Sequence, residues 1–497
     1  MKKLILFSAT LLFFLIANAQ WTQIGSDIDG EAADDLSGWS VSLNSDGSVL
    51  AIGAPTNCGN GTAAGHVRVY ENQSGTWTQI GSDIDGEVAG DQSGYSVSLS
   101  ADGSILAIGA ICNNGNSINV GHVRVYENQS GTWIQIGSDI DGEAAGDNSG
   151  WSVSLSSDGS ILAIGAYRND ENGITAGHVR VYENQSGTWT QIGNDIDGEA
   201  ADDYSGLSVS LSSDGSILAI GAIGNAGNGT GAGHVRVYEN QSGIWTQIGS
   251  DIDGEAAGDN SGRSVSLSSD GTILAIGADG NDGNGTYAGH VRVYENQSGI
   301  WTQTGSDIDG EAAYDYSGWL VSLSSDGSVL AIGAAYNDGN DTTNTNRGHV
   351  RVYQNQSGTW IQTGNDIDGE ATEDYSGWSV SLSSDGSIVA IGAEGNDGNG
   401  NDAGHVRVYG FTTGINENTI NTEVSIYPNP TTGKVRVQAE GIIGIEVMNI
   451  TGKVIKNLQG FRNLEGLEID LSKNPKGIYI IKVSTQKGVA VQKIVLE

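Results

Sequence analysis

The chain has 497 residues, with 60 Asp and Glu against 22 Lys and Arg, and a formal charge of −38. A field this negative argues against nucleic acid or an anionic membrane as partner and for solubility, cation binding, or both. Low hydrophobicity with high charge can signify disorder, but here the apolar residues recur in strict register, which only a packed structure requires.

Residues 1–19 read as a secretory signal peptide. Lys2 and Lys3 form the charged start, Leu4 to Ile16 the apolar stretch and Ala17-Asn18-Ala19 the small-residue cleavage site. That stretch is too short to span a bilayer, and no other segment is a spanning candidate, so no membrane insertion is expected. The mature chain would begin at Gln20.

Trp21, Trp77, Trp133, Trp189, Trp245, Trp301 and Trp360 then mark seven copies of one segment, spaced by 56 residues five times and by 59 once. A fixed period of this size signals a solenoid or propeller. Each copy holds four strand-like runs, which in the third copy are SVSLS, ILAIGA, HVRVY and WTQIG. SVSLS and HVRVY alternate with period two, whereas ILAIGA is a continuous apolar run suited to burial on both faces. Gly-containing hairpins, SSDG and ENQSGT, join the first pair and the last pair. Four antiparallel strands in each of seven copies predict an all-β, seven-bladed β-propeller over residues 20–410. The first copy opens with the outer-strand sequence, and the last stops at Gly410 without one. Trp21–Gly25 is therefore expected to supply the outer strand of the blade near residues 377–409, closing the ring and hiding its edges.

From Gln20 to Gly410 the chain carries 52 Asp and Glu against 10 Arg, a balance of −42. The last 87 residues hold 10 Lys and Arg against 8 Asp and Glu, a balance of +2, which marks a second domain. Residues 411–421 read as a linker, and the strand-like runs of residues 422–497 predict a small C-terminal β-sandwich.

Two resemblances follow from these segments. Ser37 to Pro55, SGWSVSLNSDGSVLAIGAP, followed by GHVRVY, resembles the FG-GAP repeat of integrin-α-type seven-bladed propellers. The calcium loop of that family lies between the first two strands, where this chain has only SSDG, so calcium is not carried over to that turn. In the tail, Tyr427 to Val437 (YPNPTTGKVRV), NITGKVI, PKGIYIIKV and the terminal KIVLE resemble the type A sorting domain of the type IX (Por) secretion system of Bacteroidota. This resemblance implies passage through the periplasm and across the outer membrane by the type IX machinery, and a final place at the cell surface or outside the cell.

Alternation of loops across a propeller puts both tight hairpins on one face. The acidic connections and the Asn/Asp/Gly loops then share the other face, the expected ligand face. Each connection reads D-I-D-G-E-x3-D. Its acids are Asp27, Asp29, Glu31 and Asp35; Asp83, Asp85, Glu87 and Asp91; Asp139, Asp141, Glu143 and Asp147; Asp195, Asp197, Glu199 and Asp203; Asp251, Asp253, Glu255 and Asp259; Asp307, Asp309, Glu311 and Asp315; and Asp366, Asp368, Glu370 and Asp374. Alternate carboxylates around a Gly-permitted bend suit Ca²⁺, which takes six to eight oxygens, although the EF-hand spacing is incomplete. The alternative is a solvated loop whose Asp residues cap turns. His66, His122, His178, His234, His290, His349 and His405 each precede an Arg by two residues and read as packing between blades. Trp39, Tyr95, Trp151, Leu207, Arg263, Trp319 and Trp378 share the parity of inward residues. They read as packing, with a glycan platform as the alternative. Cys58 and Cys112 lie in corresponding loops of neighbouring copies and form a candidate disulfide.

No nucleophile–base pair, phosphate loop or zinc spacing stands out, and near-identical copies disfavour a single catalytic centre, so the chain is expected not to be an enzyme. The expected function is a secreted or surface-displayed binding and adhesion module for a protein or glycan ligand. The alternatives are a structural coat or matrix protein, and a hydrolase or lyase using the irregular sixth copy with its insertion near Asp341 to Arg347.

Overall fold

The structure, a computed structural model, describes residues 20–115, 117–339, 345–412, 424–449, 454–485 and 488–496. The expected signal peptide, most of the linker and residues 341–344 of the sixth-copy insertion lie outside the described residues. The chain divides into two compact units, one of Gln20–Thr412 and one containing Thr413–Glu497.

Each blade is one antiparallel sheet, whose outer strand is the Trp-containing start of the following copy. In the first, Ser40–Leu43, Val49–Ala54, His66–Asn72 and Trp77–Gln79 follow one another from inner to outer edge. The second strand is buried along its whole length, with Leu50, Ala51 and Ile52 at most 1% exposed, because a neighbouring blade covers each face. That explains a continuous apolar run where a one-faced sheet would alternate. The sequence reading missed a fifth segment. Ile84–Asp85 pairs with the start of the third strand, Val67 opposite Ile84 and His66 opposite Asp85. Gly81, at φ +78°, turns the outer strand out and back, so residues read as the start of a loop continue the sheet edge and bury Ile84.

The ring closes as expected. Gln20–Gln23 runs antiparallel to His405–Thr412, with Trp21 opposite Phe411, and Ile28–Asp29 pairs with Val406 and His405. The last inward strand extends two residues past the expected boundary at Gly410, so Phe411 and Thr412 belong to a blade rather than a linker. At the hairpin end of the axis a circle of seven backbone hydrogen bonds runs blade to blade. The N–H groups of Ser45, Ala101, Ser157, Ser213, Ser269, Ser325 and Ser384 each donate to the matching carbonyl of the next blade, and Ser384 returns to Ser45. Inner strands are also joined by side chains: the Ser42 hydroxyl accepts from the Leu99 N–H at 3.0 Å, and the same bond recurs at all seven seams.

The apolar cores lie between blades rather than within them. Val49, Ala51, Val67, Val69 and Ile84 of the first blade pack against Leu99, Leu106, Ile108 and Tyr126 of the second. The closing seam packs Ile28, Val406 and Val408 against Leu43, Leu50 and Ile52. The outer tryptophans stitch the same seams, as Trp77 Nε1 donates to the Ile24 carbonyl at 3.0 Å and Trp21 Nε1 to that of Thr363 at 3.0 Å.

The small C-terminal β-sandwich is hydrogen-bonded as one continuous sheet of Ser425–Tyr427, Lys434–Asn449, Val454–Asp470, Gly477–Thr485 and Gly488–Leu496. Lys434–Asn449 is one long strand that changes register between Gln438 and Ile442. Val437, Ile445, Val447, Ile481 and Val483 form its core.

Closure predicts a direct test. Trp21→Ala removes a side chain 6% exposed together with its bond to Thr363. It should lower unfolding free energy by about 3–5 kcal/mol in a denaturant titration. Deleting Gln20–Gln23 should additionally cause concentration-dependent association through the bared Tyr409–Thr412 edge, measured by light scattering. Unchanged stability in both variants would contradict the closed ring.

Candidate functional site on the loop face

The acidic connections and Asn/Asp/Gly loops do share one face and are fastened together. Asn60 Nδ2 donates to the carbonyls of Gly86 and Glu87 at 2.7 and 3.0 Å, and Asn172, Asn228, Asn284 and Asn399 repeat the contact. The four acids of one connection, however, go to different places. Asp27 accepts from Gln23 Nε2 at 2.6 Å. Asp35, 3% exposed, accepts from the Ala32 N–H and the Asn57 amide and so holds the turn from inside. Asp29 offers its backbone carbonyl to Arg68 at 2.7 Å, an inter-blade bond made by all seven of these arginines. Glu31 reaches the next blade, 3.9 Å from Arg68 Nη1 and 3.9 Å from His66 Nδ1.

What the fold brings together is a recurring set drawn from two connections and a histidine. Glu31, His66 and Asp83 converge in the first blade, Glu87, His122 and Asp139 in the second, and Glu199, His234 and Asp251 in the fourth, with ligand atoms within 4.8 Å of one another. Asp27 and Asp29 converge on His405 in the seventh. The histidines pack against acidic partners, and burial, followed by the adjacent Arg, holds their pKa values below the ordinary range, to about 4 at His178. At the SSDG turns each Asp spends its carboxylate locally. Asp102 accepts from the Ser104 N–H and from the Ser100 and Ser104 hydroxyls, so that turn offers no oxygen cage for calcium.

Around the axis on the loop face, the residues following Ser-Gly form a ring. Trp319, Trp378, Trp39, Tyr95 and Trp151 contact in succession at 4.6–5.2 Å between ring centroids. Arg263 lies over Trp319 at 3.7 Å and faces Asp279 at 3.5 Å, while Leu207 is buried. These residues pack between blades, as their parity implies. Sequence reading missed an aromatic path that leaves this ring over blades five to seven. Trp319 and Trp378 touch Tyr336, Tyr336 touches Tyr316 and Tyr375, and Tyr316 stacks on Tyr287, which meets Tyr314. Tyr287 and Tyr314 are 42% and 56% exposed. The signal available in the sequence was the concentration of tyrosine in the loops of copies five and six. Tyr316 and Tyr375 adopt φ +53° and +54°, where the third and fifth copies place Asn148 and Asn260 at φ +52° and +57°. Asn tolerates that conformation, so tyrosine there carries a backbone cost of about 1–2 kcal/mol.

Cys58 and Cys112 are free thiols rather than a disulfide. Cys112 Sγ donates to Gln92 Oε1 at 3.0 Å and Cys58 Sγ to the Thr56 carbonyl at 3.5 Å, so each sulfur is turned to its own local partner.

These features define an exported all-β propeller protein, and comparison with known families gives its parts. Residues 140–182 and 367–409 each match the FG-GAP repeat, and residues 425–497 match the secretion system C-terminal sorting domain. The chain therefore carries FG-GAP repeats and a Por-type sorting domain, which is recognised by the type IX machinery and directs export to the cell surface or extracellular space. No curated protein matches the chain. Similar solved structures include a putative 6-phosphogluconolactonase from Bacteroides uniformis, at 13% identity and TM-score 0.47 over 67% of this chain and 86% of that one. They also include the periplasmic gluconolactonase PpgL of Pseudomonas aeruginosa, at 15% identity and TM-score 0.45 over 82% and 95%. U3-55K is similar at 12% identity and TM-score 0.44 over 80% and 99%. The expectation that this chain is not an enzyme is withdrawn, since two of these neighbours are named as lactonases. At these identities the similarity assigns no activity to this chain.

Glu394 of the seventh blade, 9% exposed, yields a pH prediction. Burial, then the nearby Asp402, pushes its pKa up to about 7, with Tyr336 and Tyr375 on the adjoining loops. A folded-state pKa raised above the unfolded value gives stability that is full at low pH and lost as pH rises through 7. Glu394→Gln should therefore stabilise the protein by about 2–3 kcal/mol at pH 8 and leave it unchanged at pH 4. Equal effects at both pH values in thermal melts would refute this.

Proposed function

We propose that the propeller is a glycan-binding adhesion module, displayed at the cell surface or released by type IX export. The observation that carries this reading is the aromatic path from the axis to the loop tips of blades five to seven. Sugars present apolar C–H faces and polar edges, and they are held by aromatic rings flanked by hydrogen-bonding groups. Here Tyr287 and Tyr314 supply exposed rings, and the surrounding Asn/Asp/Gly loops supply amides and carboxylates. The −38 charge favours neutral or cation-bridged glycans over sulfated or sialylated ones.

A glycan array probed with the full chain tests the reading. Tyr287→Ala and Tyr314→Ala should each weaken binding of the captured glycan by about 1–2 kcal/mol, roughly five- to thirtyfold, without lowering the melting temperature. Loss of neither interaction, or capture of proteins alone, would overturn it.

A further inference from the structure

One rim cluster differs from the others. In the third blade Glu143 and Asp195 converge on His178, as in the neighbouring blades, but Glu171 adds a third carboxylate, and all four ligand atoms lie within 4.8 Å of one another. Glu171 stands where the other copies have Gly59, Gly115, Gly227, Gly283, Gly339 and Gly398. The local turn is the same in both cases: the Glu171 N–H donates to Asn169 Oδ1 at 2.9 Å, as the Gly59 N–H does to Asn57 Oδ1 at 2.8 Å. Glu171 therefore changes the donor set without changing the backbone.

A second observation points to a ligand there. The His178 side chain is 0% exposed, yet neither ring nitrogen has a hydrogen-bond partner. Its Nδ1 faces Glu143 Oε2 at 3.9 Å and Asp195 Oδ2 at 3.8 Å, too far for hydrogen bonds. Asp197, opposite His178 in the sheet, also leaves Oδ1 buried and unpartnered. A buried imidazole nitrogen without a hydrogen-bond partner, beside three carboxylates, is a site that an ion would complete.

We propose that Glu143, Glu171, His178 Nδ1 and Asp195 bind one divalent transition-metal ion, of which Zn²⁺ is the best fit. Calcium takes an all-oxygen shell of six to eight ligands, whereas one imidazole with carboxylates in a four-donor set suits zinc. The ion would tie the incoming connection, the loop, the third strand and the outer edge of one blade to each other. This goes beyond the glycan reading and does not rest on it, since the aromatic path lies on blades five to seven.

Equilibrium dialysis of the purified full chain against ZnCl₂ tests the proposal. One site per chain should bind more tightly than all others. Excess Ca²⁺ should not displace the zinc. Glu171→Gly, which makes the third blade like its neighbours at an exposed position, should weaken that site by roughly tenfold or more, since even residues that only support metal ligands are worth 10–100-fold. His178→Gln should abolish it. The converse variant Gly227→Glu should raise the number of tight sites from one to two. No tight site, seven equal sites, displacement by calcium, or a tight site indifferent to Glu171→Gly would each overturn the assignment. Because Glu171→Gly introduces the residue its neighbours already carry, misfolding cannot account for a loss.

Discussion

Everything in the propeller depends on seams, because no blade buries its own faces. Ala51 and Ile52 are sealed only when a sheet lies on either side, and each apolar cluster of the ring draws its residues from adjacent blades. Polar contacts obey the same rule: Leu N–H to Ser hydroxyl, Arg to the carbonyl two residues before Glu, and the axial circle of seven backbone bonds all cross from blade to blade. The sixth blade shows what one change costs. Ser40, Ser96 and their counterparts donate across the seam to a glycine carbonyl, whereas Leu320 occupies that place and has no hydroxyl to give.

The repeats made most of this legible in the amino acids. A 56-residue period, four runs per copy and a displaced outer strand led to seven blades and to the pairing of Trp21 with the far end of the ring. The Ile-Asp segment escaped notice because two residues carry no periodicity, and only the register with Val67 and His66 shows them to be a strand. The acidic connections were legible as a pattern but not as contacts. The carboxylates of Asp29 and Glu31, two residues apart, lie beside histidines of different blades, His405 and His66. His178 was read as packing, which it is, but its distances to acids are fixed by tertiary neighbours that spacing cannot encode.

Symmetry and its exceptions divide the labour on the loop face. Seven near-identical copies supply a rigid frame, and the departures from identity are few: Arg263 with Asp279, Glu171 for glycine, Glu394 after Ala393, and the tyrosines of blades five to seven. Each departure puts a group with a chemical preference onto a scaffold that does not need it for folding.

Gln20 and Thr412 sit side by side although 392 residues separate them. Contacts over such a span form last, since the entropy of bringing distant ends together must be met before any reward is gained. Until then the nascent disc is a horseshoe with two sticky lips. The closing strand is what turns that open arc of blades into a ring whose sheet edges are paired.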